Sequence, residues 1–339
     1  MLSESEFHTL KVSRVIDETH DTRSFVLEIP PDLAQTFVYR AGQFCTFQAE
    51  IDGEQLGRCY SMSSSPDVGD PMTVTVKRVV GGRMSNWMNE TVVPGSHLEV
   101  LRPAGLFVLR DSDQPIVAFA GGSGITPILS IVKSALAKTE REILLVYANK
   151  TREDVIFRDG LDRLVADANG RLEVHFHLDA ESGFLDAAQC AALVGDRTGG
   201  DFYVCGPAPY MDVVEAGLAT CGISDEQLFI ERFDFDDSDS STSEDSVPSL
   251  LTIRLGKREH EIPYQAGDTI LDAARRAGLS DAPFSCQRGS CATCMAQLVE
   301  GSASMRVNNA LTEEEVADGF VLTCQALPSG ERVVVNYDF

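Results

Sequence analysis

The sequence predicts a multidomain protein made of an antiparallel β-barrel, a doubly wound α/β domain and a small C-terminal domain. A chain of 339 residues is too long for one hydrophobic core and favours two or three domains. Residues 1–107 alternate in hydrophobicity, residues 108–233 alternate apolar runs with helical segments, and residues 250–339 contain a group of closely spaced cysteines. An acidic segment, residues 234–249, separates the last two blocks.

The first block is expected to form the strands of an antiparallel barrel. Its β-branched and aromatic residues fall into short alternating runs, and turn signals rich in Pro, Gly and Asp separate these runs. The expected strands are residues 24–29, 37–49, 72–80 and 98–101.

The second block predicts a parallel sheet covered by helices. An apolar run at residues 116–120 is followed by a glycine-rich turn and then by a helical segment at residues 127–137. Strands that alternate with helices indicate a doubly wound sheet. The later strand-like and helical segments are residues 142–148, 172–178, 202–205 and 210–221.

The charge of the chain excludes some classes of partner. The net charge is −24, and residues 234–248 alone carry six acidic residues and no basic one. So acidic a surface argues against nucleic acid and anionic membranes, which would be repelled. It is equally consistent with solubility alone or with a protein partner that presents a basic patch. The Ser- and Asp-rich segment 234–249 is expected to be a flexible linker, with a surface loop inside one domain as the alternative.

The N-terminal residues indicate where the protein works. Residues 1–10 lack the basic start and the apolar core of a signal peptide, and no apolar run approaches the length needed to span a bilayer. We therefore expect a cytoplasmic protein. We also expect it to be a monomer.

Four cysteines in the last block predict an iron–sulfur site. Cys286, Cys291 and Cys294 have the spacing C-x₄-C-x₂-C, and Cys324 follows in the same block. This is the ligand spacing of plant-type [2Fe–2S] clusters, which need four thiolates. Gly289 and its small neighbours would let the backbone wrap closely around the sulfurs. A structural zinc site is the alternative, although zinc loops usually pair their ligands as CxxC…CxxC.

Two polar motifs in the first block have the chemistry of a flavin site. In R-x-Y-S-x-x-S, residues 58–64, a Tyr ring can stack on an isoalloxazine, Ser hydroxyls can bond its polar edge and Arg can neutralise a pyrophosphate. In residues 76–87 a basic strand runs into glycines and a helix start, where Ser85 is expected to cap the helix. The N-terminus of that helix would suit a phosphate. Taken singly, the motifs also fit an exposed strand end and an ordinary capped helix.

Two glycine-containing turns in the second block predict a dinucleotide site. GGSGITP, residues 121–127, follows a strand and opens a helix, which is the context of a dinucleotide-phosphate loop. CGPAPYM, residues 205–211, also ends a strand and starts a helix, and its Gly-Pro turn would let a flat nicotinamide ring approach Cys205. The glycine string is not a strict GxGxxG motif, and a buried Cys at a strand end is equally common without a function.

Taken in order, these motifs resemble the ferredoxin–NADP reductase superfamily with a plant-type ferredoxin domain at the C-terminus, over essentially the whole chain. The resemblance implies FAD as the flavin and a β-grasp-like fold for residues 250–339. The strings RCYSMSSSP and LTCQALP look like those of the reductase components of bacterial Rieske-type oxygenases, most of all the 3-ketosteroid 9α-hydroxylase reductases.

The resemblance also assigns roles to individual residues. Tyr60 would stack on the flavin, Ser61 would contact its N5 region, and Thr126 and Cys205 would flank the site of hydride transfer. The positions that it places against FAD are Arg58, Tyr60, Ser61, Ser64, Val76, Lys77, Gly82, Ser85 and, as an aromatic cover, Phe233. The positions that it places against the nicotinamide nucleotide are Gly122, Gly124, Thr126, Gly206 and Pro207.

The implied activity is that of an NAD(P)H-dependent oxidoreductase, the reductase component of a Rieske-type oxygenase. Electrons would pass from NADH through FAD and the [2Fe–2S] cluster to the terminal oxygenase. Lys150 and Arg152 could hold the 2′-phosphate of NADPH, but NADH is expected because similar oxygenase reductases use it. The alternatives are a reductase for a diiron monooxygenase or epoxidase and a flavin and iron–sulfur redox sensor.

Overall fold

In the residues that it describes, the computed structural model of the chain contains three sheets, of six, five and five strands. It describes residues 7–233, 250–279, 281–284, 289, 292–308 and 310–338. The predicted linker, residues 234–249, lies outside the described residues. Among the helices of the described residues, none is long and apolar enough to cross a membrane.

The first sheet is a six-stranded antiparallel barrel. Its elements are β1 (His8–Thr19), β2 (Thr22–Glu28), β3 (Phe44–Ile51), β4 (Glu54–Ser61), β5 (Thr73–Lys77), α1 (Arg83–Thr91) and β6 (His97–Val100). The strands lie in the order β4–β3–β6–β1–β2–β5, and a bridge between Met62 and Val74 joins the two ends of this order. Apolar side chains from the strands fill the barrel, and Met84 and Met88 of α1 pack against them. The predicted barrel is confirmed.

One expected strand is shorter than predicted. Residues 37–49 were expected to be extended, but β3 begins at Phe44. Gly42 has a φ of +98°, and the Gln43 N–H donates to the Arg40 carbonyl at 3.1 Å, so the chain turns just before the strand. The turn signal within this segment is therefore stronger than its alternating hydrophobicity.

The second sheet has five parallel strands in a doubly wound domain. Its elements are β7 (Ile116–Gly121), α2 (Ile125–Lys138), β8 (Ile143–Asn149), α3 (Arg158–Asp167), β9 (Leu172–Leu178), α4 (Asp179–Ser182), α5 (Ala187–Val194), β10 (Asp201–Gly206), α6 (Ala208–Thr220) and β11 (Leu228–Arg232). The order is β11–β10–β7–β8–β9, so the direction of winding reverses between β7 and β10. Separate apolar cores cover the two faces of the sheet, which explains why its central strands are apolar throughout.

The third sheet forms a mixed, β-grasp-like domain. Its elements are β12 (Leu250–Leu255), β13 (Arg258–Pro263), α7 (Ile270–Arg276), β14 (Met295–Met305), α8 (Glu313–Ala317), β15 (Phe320–Leu322) and β16 (Ala326–Asn336). The strand order is β13–β12–β16–β14–β15, with β12 parallel to β16 and the other pairs antiparallel. The Thr269 side chain accepts a hydrogen bond from the Asp272 N–H and caps α7, whose apolar face joins the core of the domain.

Candidate active site

A cavity of about 390 Å³ opens between the barrel and the carboxyl edge of the parallel sheet. The barrel contributes the end of β4 and the loop from β5 to α1, and the α/β domain contributes the turn after β7 and the end of β11. Doubly wound sheets bind ligands at the edge where their strand order reverses. The predicted residues that line this cavity are Arg58, Tyr60, Ser61, Lys77, Gly82, Ser85, Thr126 and Phe233.

Two residues at the end of β4 form one wall. The hairpin with β3 pairs Tyr60 with Cys45 and Ser61 with Phe44, and this register fixes the direction of both side chains. The Tyr60 ring packs against Phe47 with a centroid distance of 5.8 Å. The Ser61 hydroxyl is buried and has no hydrogen-bond partner among the described residues. A buried hydroxyl without a partner costs free energy, so its position fits a ligand that supplies the missing bond.

The start of α1 turns backbone amides toward the same cavity. Gly82 is the N-cap, and no side chain caps the helix within the described part of the chain. A Cβ on Gly82 would lie 2.7 Å from the Ser85 Oγ, so the turn requires glycine. The expectation that Ser85 caps the helix is wrong: Ser85 lies inside the first turn, and its Oγ accepts from the Val79 N–H at 3.2 Å. The amides left free in the first turn fit a phosphate.

Two basic side chains of the barrel add positive charge. An Arg58 guanidinium N–H donates to the Gly57 carbonyl at 2.7 Å. The Lys77 amine lies 3.5 Å from a carboxylate oxygen of Asp21. Both side chains line the cavity, so an anionic group bound there would be attracted to this side.

The turn after β7 packs tightly against the end of β10. A Cβ on Gly124 would overlap the carbonyl of Cys205, and one on Gly206 would lie 2.8 Å from the Tyr210 ring. Gly122 has a φ of +52°, which glycine adopts most readily. Gly124 and Gly206 are therefore needed for the two strand ends to meet beside the cavity.

Thr126 lines the cavity, whereas Cys205 is absent from the lining. Thr126 lies in the first turn of α2, and its hydroxyl donates to the Ser123 carbonyl at 3.0 Å. Cys205 is fully buried, and burial raises the pKa of its thiol well above the usual value. The thiol is therefore neutral, and a role for Cys205 beside a nicotinamide stays a prediction. Pro207 is the N-cap of α6.

Glu231 is a cavity residue that was not predicted. The parallel register of β10 and β11 places it beside Cys205, and only 6% of its surface is exposed. Burial raises the pKa of its carboxyl to about 8. Its neighbour Arg232 pairs instead with Asp212 and Glu215. The cavity therefore has a carboxyl group in its wall that holds a proton at neutral pH.

In the third sheet the structure brings two of the four predicted cluster ligands together. Cys294 and Cys324 are buried in the same apolar core. The Thr323 N–H and hydroxyl donate to the Cys294 carbonyl at 3.1 and 2.9 Å, which ties the two segments together. Both sulfurs lie close enough to the Tyr337 hydroxyl to act electrostatically on it, and that hydroxyl donates to Thr323 at 2.7 Å.

The loop that carries the other two ligands is described only in part. Cys286 and Cys291 lie outside the described residues. Gly289 has a φ of +71°, and a Cβ there would lie 2.6 Å from the Val307 carbonyl, so this position requires glycine. Ala292 also has a positive φ, of +56°. The close backbone approach at Gly289 and the two buried thiols of Cys294 and Cys324 fit a [2Fe–2S] cluster held by four cysteines.

Comparison with known proteins identifies this combination of domains. An oxidoreductase FAD-binding domain matches residues 9–109, an oxidoreductase NAD-binding domain matches residues 119–216, and a 2Fe-2S iron-sulfur cluster binding domain matches residues 253–329. The ferredoxin reductase component of 3-ketosteroid-9-alpha-monooxygenase from Mycolicibacterium smegmatis is 37% identical, over 97% of this chain and 96% of the relative. The chain belongs to this family of oxygenase reductase components.

Other relatives match the reductase over nearly its whole length. A component of the 1,2-phenylacetyl-CoA epoxidase of Escherichia coli is 35% identical over 98% of both chains. The crystal structure of phthalate dioxygenase reductase, described as a modular structure for electron transfer from pyridine nucleotides to [2Fe–2S], has a TM-score of 0.62 and 25% identity. It covers 97% of this chain and 98% of its own. The reductase is thus an NAD(P)H-dependent oxidoreductase with FAD, NADH and a [2Fe–2S] cluster as cofactors.

Two residues predicted to contact FAD lie elsewhere in the reductase. Val76 is buried in the core of the barrel. Ser64 is buried as well, and its hydroxyl lies 2.7 Å from the Tyr39 hydroxyl, at the boundary with the α/β domain. Neither residue lines the cavity, so their contacts with FAD stay predictions.

The ends of β8 and β9 meet where the coenzyme preference was expected. The Ala180 N–H donates to the Lys150 carbonyl at 3.0 Å and brings Asp179 next to Lys150. Burial raises the pKa of Asp179, while His177 and Lys150 lower it. Arg152 is exposed and lies in the short helical turn that follows. Asp179 was not predicted, and its carboxylate would repel the 2′-phosphate that Lys150 would attract.

Proposed function

We propose that this reductase takes a hydride from NADH at the cavity and delivers electrons one at a time to a Rieske-type terminal oxygenase. The observation that supports this most is the cavity itself. It combines a Ser61 hydroxyl that has no partner among the described residues, a start of α1 that no described side chain caps, and the Thr126 turn, on a chain that also carries a cluster-binding domain. FAD, when bound, supplies the conversion of a two-electron donor into one-electron steps.

The residues of the barrel would hold and orient the flavin. Tyr60 would stack against the isoalloxazine, and the Ser61 hydroxyl would gain there the hydrogen-bond partner that it lacks within the described residues. Arg58, Lys77 and the amides after Gly82 would bind the pyrophosphate. Positive charge and free amides thus lie together on the side where the anionic part of FAD is expected.

The residues of the α/β domain would position the nicotinamide and manage a proton. Thr126, at the start of α2, would orient the nicotinamide ring against the flavin. Phe233 follows β11 and lines the cavity, where it would cover the flavin until the nicotinamide enters. Glu231 keeps its proton at neutral pH and would place a neutral, hydrogen-bonding carboxyl beside the reacting rings.

The choice of NADH over NADPH is supported by Asp179, whose carboxyl lies close enough to Lys150 to interact with it electrostatically. A 2′-phosphate at this edge would approach a carboxylate as well as an ammonium group. The attraction would be offset by repulsion, and the ribose hydroxyl of NADH would meet no such conflict.

The identity of the partner is supported by the relatives and by the charge. The relatives are the ferredoxin reductase component of a ketosteroid monooxygenase and a subunit of an epoxidase. We favour the Rieske-type partner because the reductase component of the ketosteroid monooxygenase is more similar to this chain than the epoxidase subunit is. The net charge of −24 suits a partner with a basic docking patch. A monomeric state, a cytoplasmic location and the absence of nucleic-acid or membrane partners stay predictions.

Reconstitution tests the proposed partner. The purified holoreductase would be mixed with NADH and with either a Rieske-type or a diiron oxygenase component, and coupled NADH oxidation and product formation would be measured. Turnover with the Rieske-type component that falls as salt is added would support the proposal. Turnover with the diiron component alone would reassign the reductase to that class. Reduction by NADH without delivery to either protein would favour a redox sensor.

A further inference from the structure

Four serines join the barrel to the α/β domain, and we call this group the serine seam: Ser64, Ser65, Ser130 and Ser134. Ser130 and Ser134 lie one turn apart on α2 and are fully buried. The Ser130 hydroxyl donates to the Ser64 carbonyl at 2.6 Å and accepts from the Gly42 N–H at 3.4 Å. The Ser134 and Ser65 hydroxyls lie 2.7 Å apart.

Two ion pairs flank the serine seam at its solvent edge. Lys133 lies 2.9 Å from Asp70, and Lys138 lies 3.3 Å from Asp67. The Asp70 carboxylate also accepts from the Ser65 N–H at 3.2 Å. The loop between β4 and β5, which carries Ser64, Ser65, Asp67 and Asp70, therefore contacts α2 along more than two helical turns.

The serine seam is connected at both ends to the candidate active site. On the barrel side, Ser64 follows Ser61 by three residues, and Ser61 lines the cavity. On the other side, Ser130 lies one helical turn after Thr126, which also lines the cavity. One turn of helix spans about 5.4 Å. A displacement of α2 at the seam would therefore reach Thr126 almost undiminished.

Hydrogen bonds hold such a contact in one position better than apolar packing does. Apolar side chains at a domain boundary can slide with little loss, whereas the Ser130 hydroxyl meets two backbone groups whose directions are set by the barrel. Alanine at this position would leave a buried carbonyl and a buried N–H with one partner fewer. The seam thus favours a single relative position of the two domains.

We propose that the serine seam positions the nicotinamide-binding turn against the flavin, with Ser130 as a positioning residue for hydride transfer. This inference rests on the proposed reaction of NADH at this cavity. Hydride transfer requires reacting atoms about 3–3.5 Å apart, and a misplacement near 1 Å can cost on the order of a hundredfold in rate. Ser64, which was predicted to bind FAD, would act here through α2.

Ser130→Ala in the FAD- and cluster-loaded enzyme tests the inference. Anaerobic stopped-flow mixing with NADH would give the limiting rate of flavin reduction and the dissociation constant of NADH separately. We expect a limiting rate on the order of tenfold lower, because the rings are misaligned, and a dissociation constant within about twofold of wild type. We also expect faster amide hydrogen exchange in the first turns of α2 and weaker long-wavelength absorption of the flavin–nicotinamide complex.

Two further variants make the test decisive. Ser134→Ala is expected to act in the same direction but more weakly, because Ser65 keeps its bond from the Asp67 N–H. Thr139→Ala is the matched control: at the C-cap of α2, its hydroxyl donates to the Ala135 carbonyl at 2.7 Å and accepts from the Arg141 N–H at 3.3 Å, and neither partner belongs to the barrel. It should lower thermal stability without changing the limiting rate.

The outcomes separate the inference from the proposed function. Wild-type limiting rates and exchange in both seam variants, with only their thermal stability reduced, would show that the seam merely holds the domains together. A limiting rate lowered as much in Thr139→Ala as in Ser130→Ala would overturn the inference as well. Wild-type enzyme that NADH does not reduce would refute the proposed function, and the positioning role would fall with it.

Discussion

Replacing Glu231 with Gln is predicted to stabilise the reductase by an amount that grows with pH. Burial raises the pKa of Glu231 from 4.5 to about 8 in the folded protein. The unfolded chain releases this proton near the ordinary pKa, whereas the folded protein keeps it until the pH approaches 8. Between these values only the unfolded state gains free energy from ionisation, so the free energy of unfolding falls as pH rises. Glutamine cannot ionise and escapes this loss.

The size of the effect follows from the pKa shift. Each unit corresponds to about 1.4 kcal/mol, so the full shift amounts to roughly 5 kcal/mol once the carboxyl is ionised in both states. A change of 1 kcal/mol in the free energy of unfolding moves the midpoint of thermal unfolding of a large folded unit by about 2–4 °C. The variant should therefore unfold on the order of 10 °C above wild type near pH 9 and at almost the same temperature near pH 5.

Thermal unfolding at a series of pH values measures this difference, with the rise in flavin fluorescence on FAD release as the signal. Glu226→Gln is the matched control, because Glu226 is exposed in the same domain and its replacement should leave the pH dependence unchanged. Midpoints of wild type and Glu231→Gln that differ by a constant amount at all pH values would refute the reasoning, since the carboxyl would then not be held protonated.

The remaining predictions concern the two nucleotide turns and the cluster. Gly124→Ala should lower the unfolding midpoint and weaken NADH binding, because its Cβ would overlap a backbone carbonyl of β10. The control is Gly160→Ala on α3, whose Cβ would meet the Phe157 Cβ at an ordinary 3.9 Å; it should leave NADH binding unchanged and keep or raise the midpoint, because alanine favours a helix over glycine. Calorimetry and NADH titration compare the two variants, and equal behaviour would contradict the steric argument. Asp179→Asn should raise the ratio of kcat/KM for NADPH to kcat/KM for NADH on the order of tenfold, because the 2′-phosphate would then meet Lys150 without a neighbouring carboxylate. Steady-state kinetics with both coenzymes measures this ratio, and an unchanged ratio would show that other residues discriminate between them. Cys324→Ala should lose the visible absorbance of the cluster and retain that of the flavin; an intact cluster spectrum would exclude this residue as a ligand.

The order and type of domains could be predicted because the signals are local. The strand Leu172–Leu178 was predicted with its observed bounds, and both the parallel sheet and the barrel follow from periodicity within short segments. The cysteine spacing is also local, because the loop must place several thiolates around one cluster.

The parts that could not be predicted depend on contacts between distant segments. Glu231 faces the cavity only because β11 pairs with β10, and its pKa depends on burial by other parts of the fold. Ser85 has the residue type of a helix cap, but the preceding loop takes its hydroxyl instead. The Ser64 carbonyl accepts a hydrogen bond from Ser130 of α2, a contact between distant segments that the flavin motif does not predict. For Glu231 and Ser85, the residue type indicated a possible role, and the contacts made in the folded chain decided which role each residue has.

The electron relay is tested most directly by anaerobic titration of the purified holoprotein with NADH, in which the visible absorbance is recorded after each addition. We predict a spectrum with flavin and cluster components, both of which bleach as NADH is added. A cluster that stays oxidised while the flavin is reduced, or a fully loaded protein that NADH does not bleach at all, would contradict the relay from NADH through FAD to the [2Fe–2S] cluster.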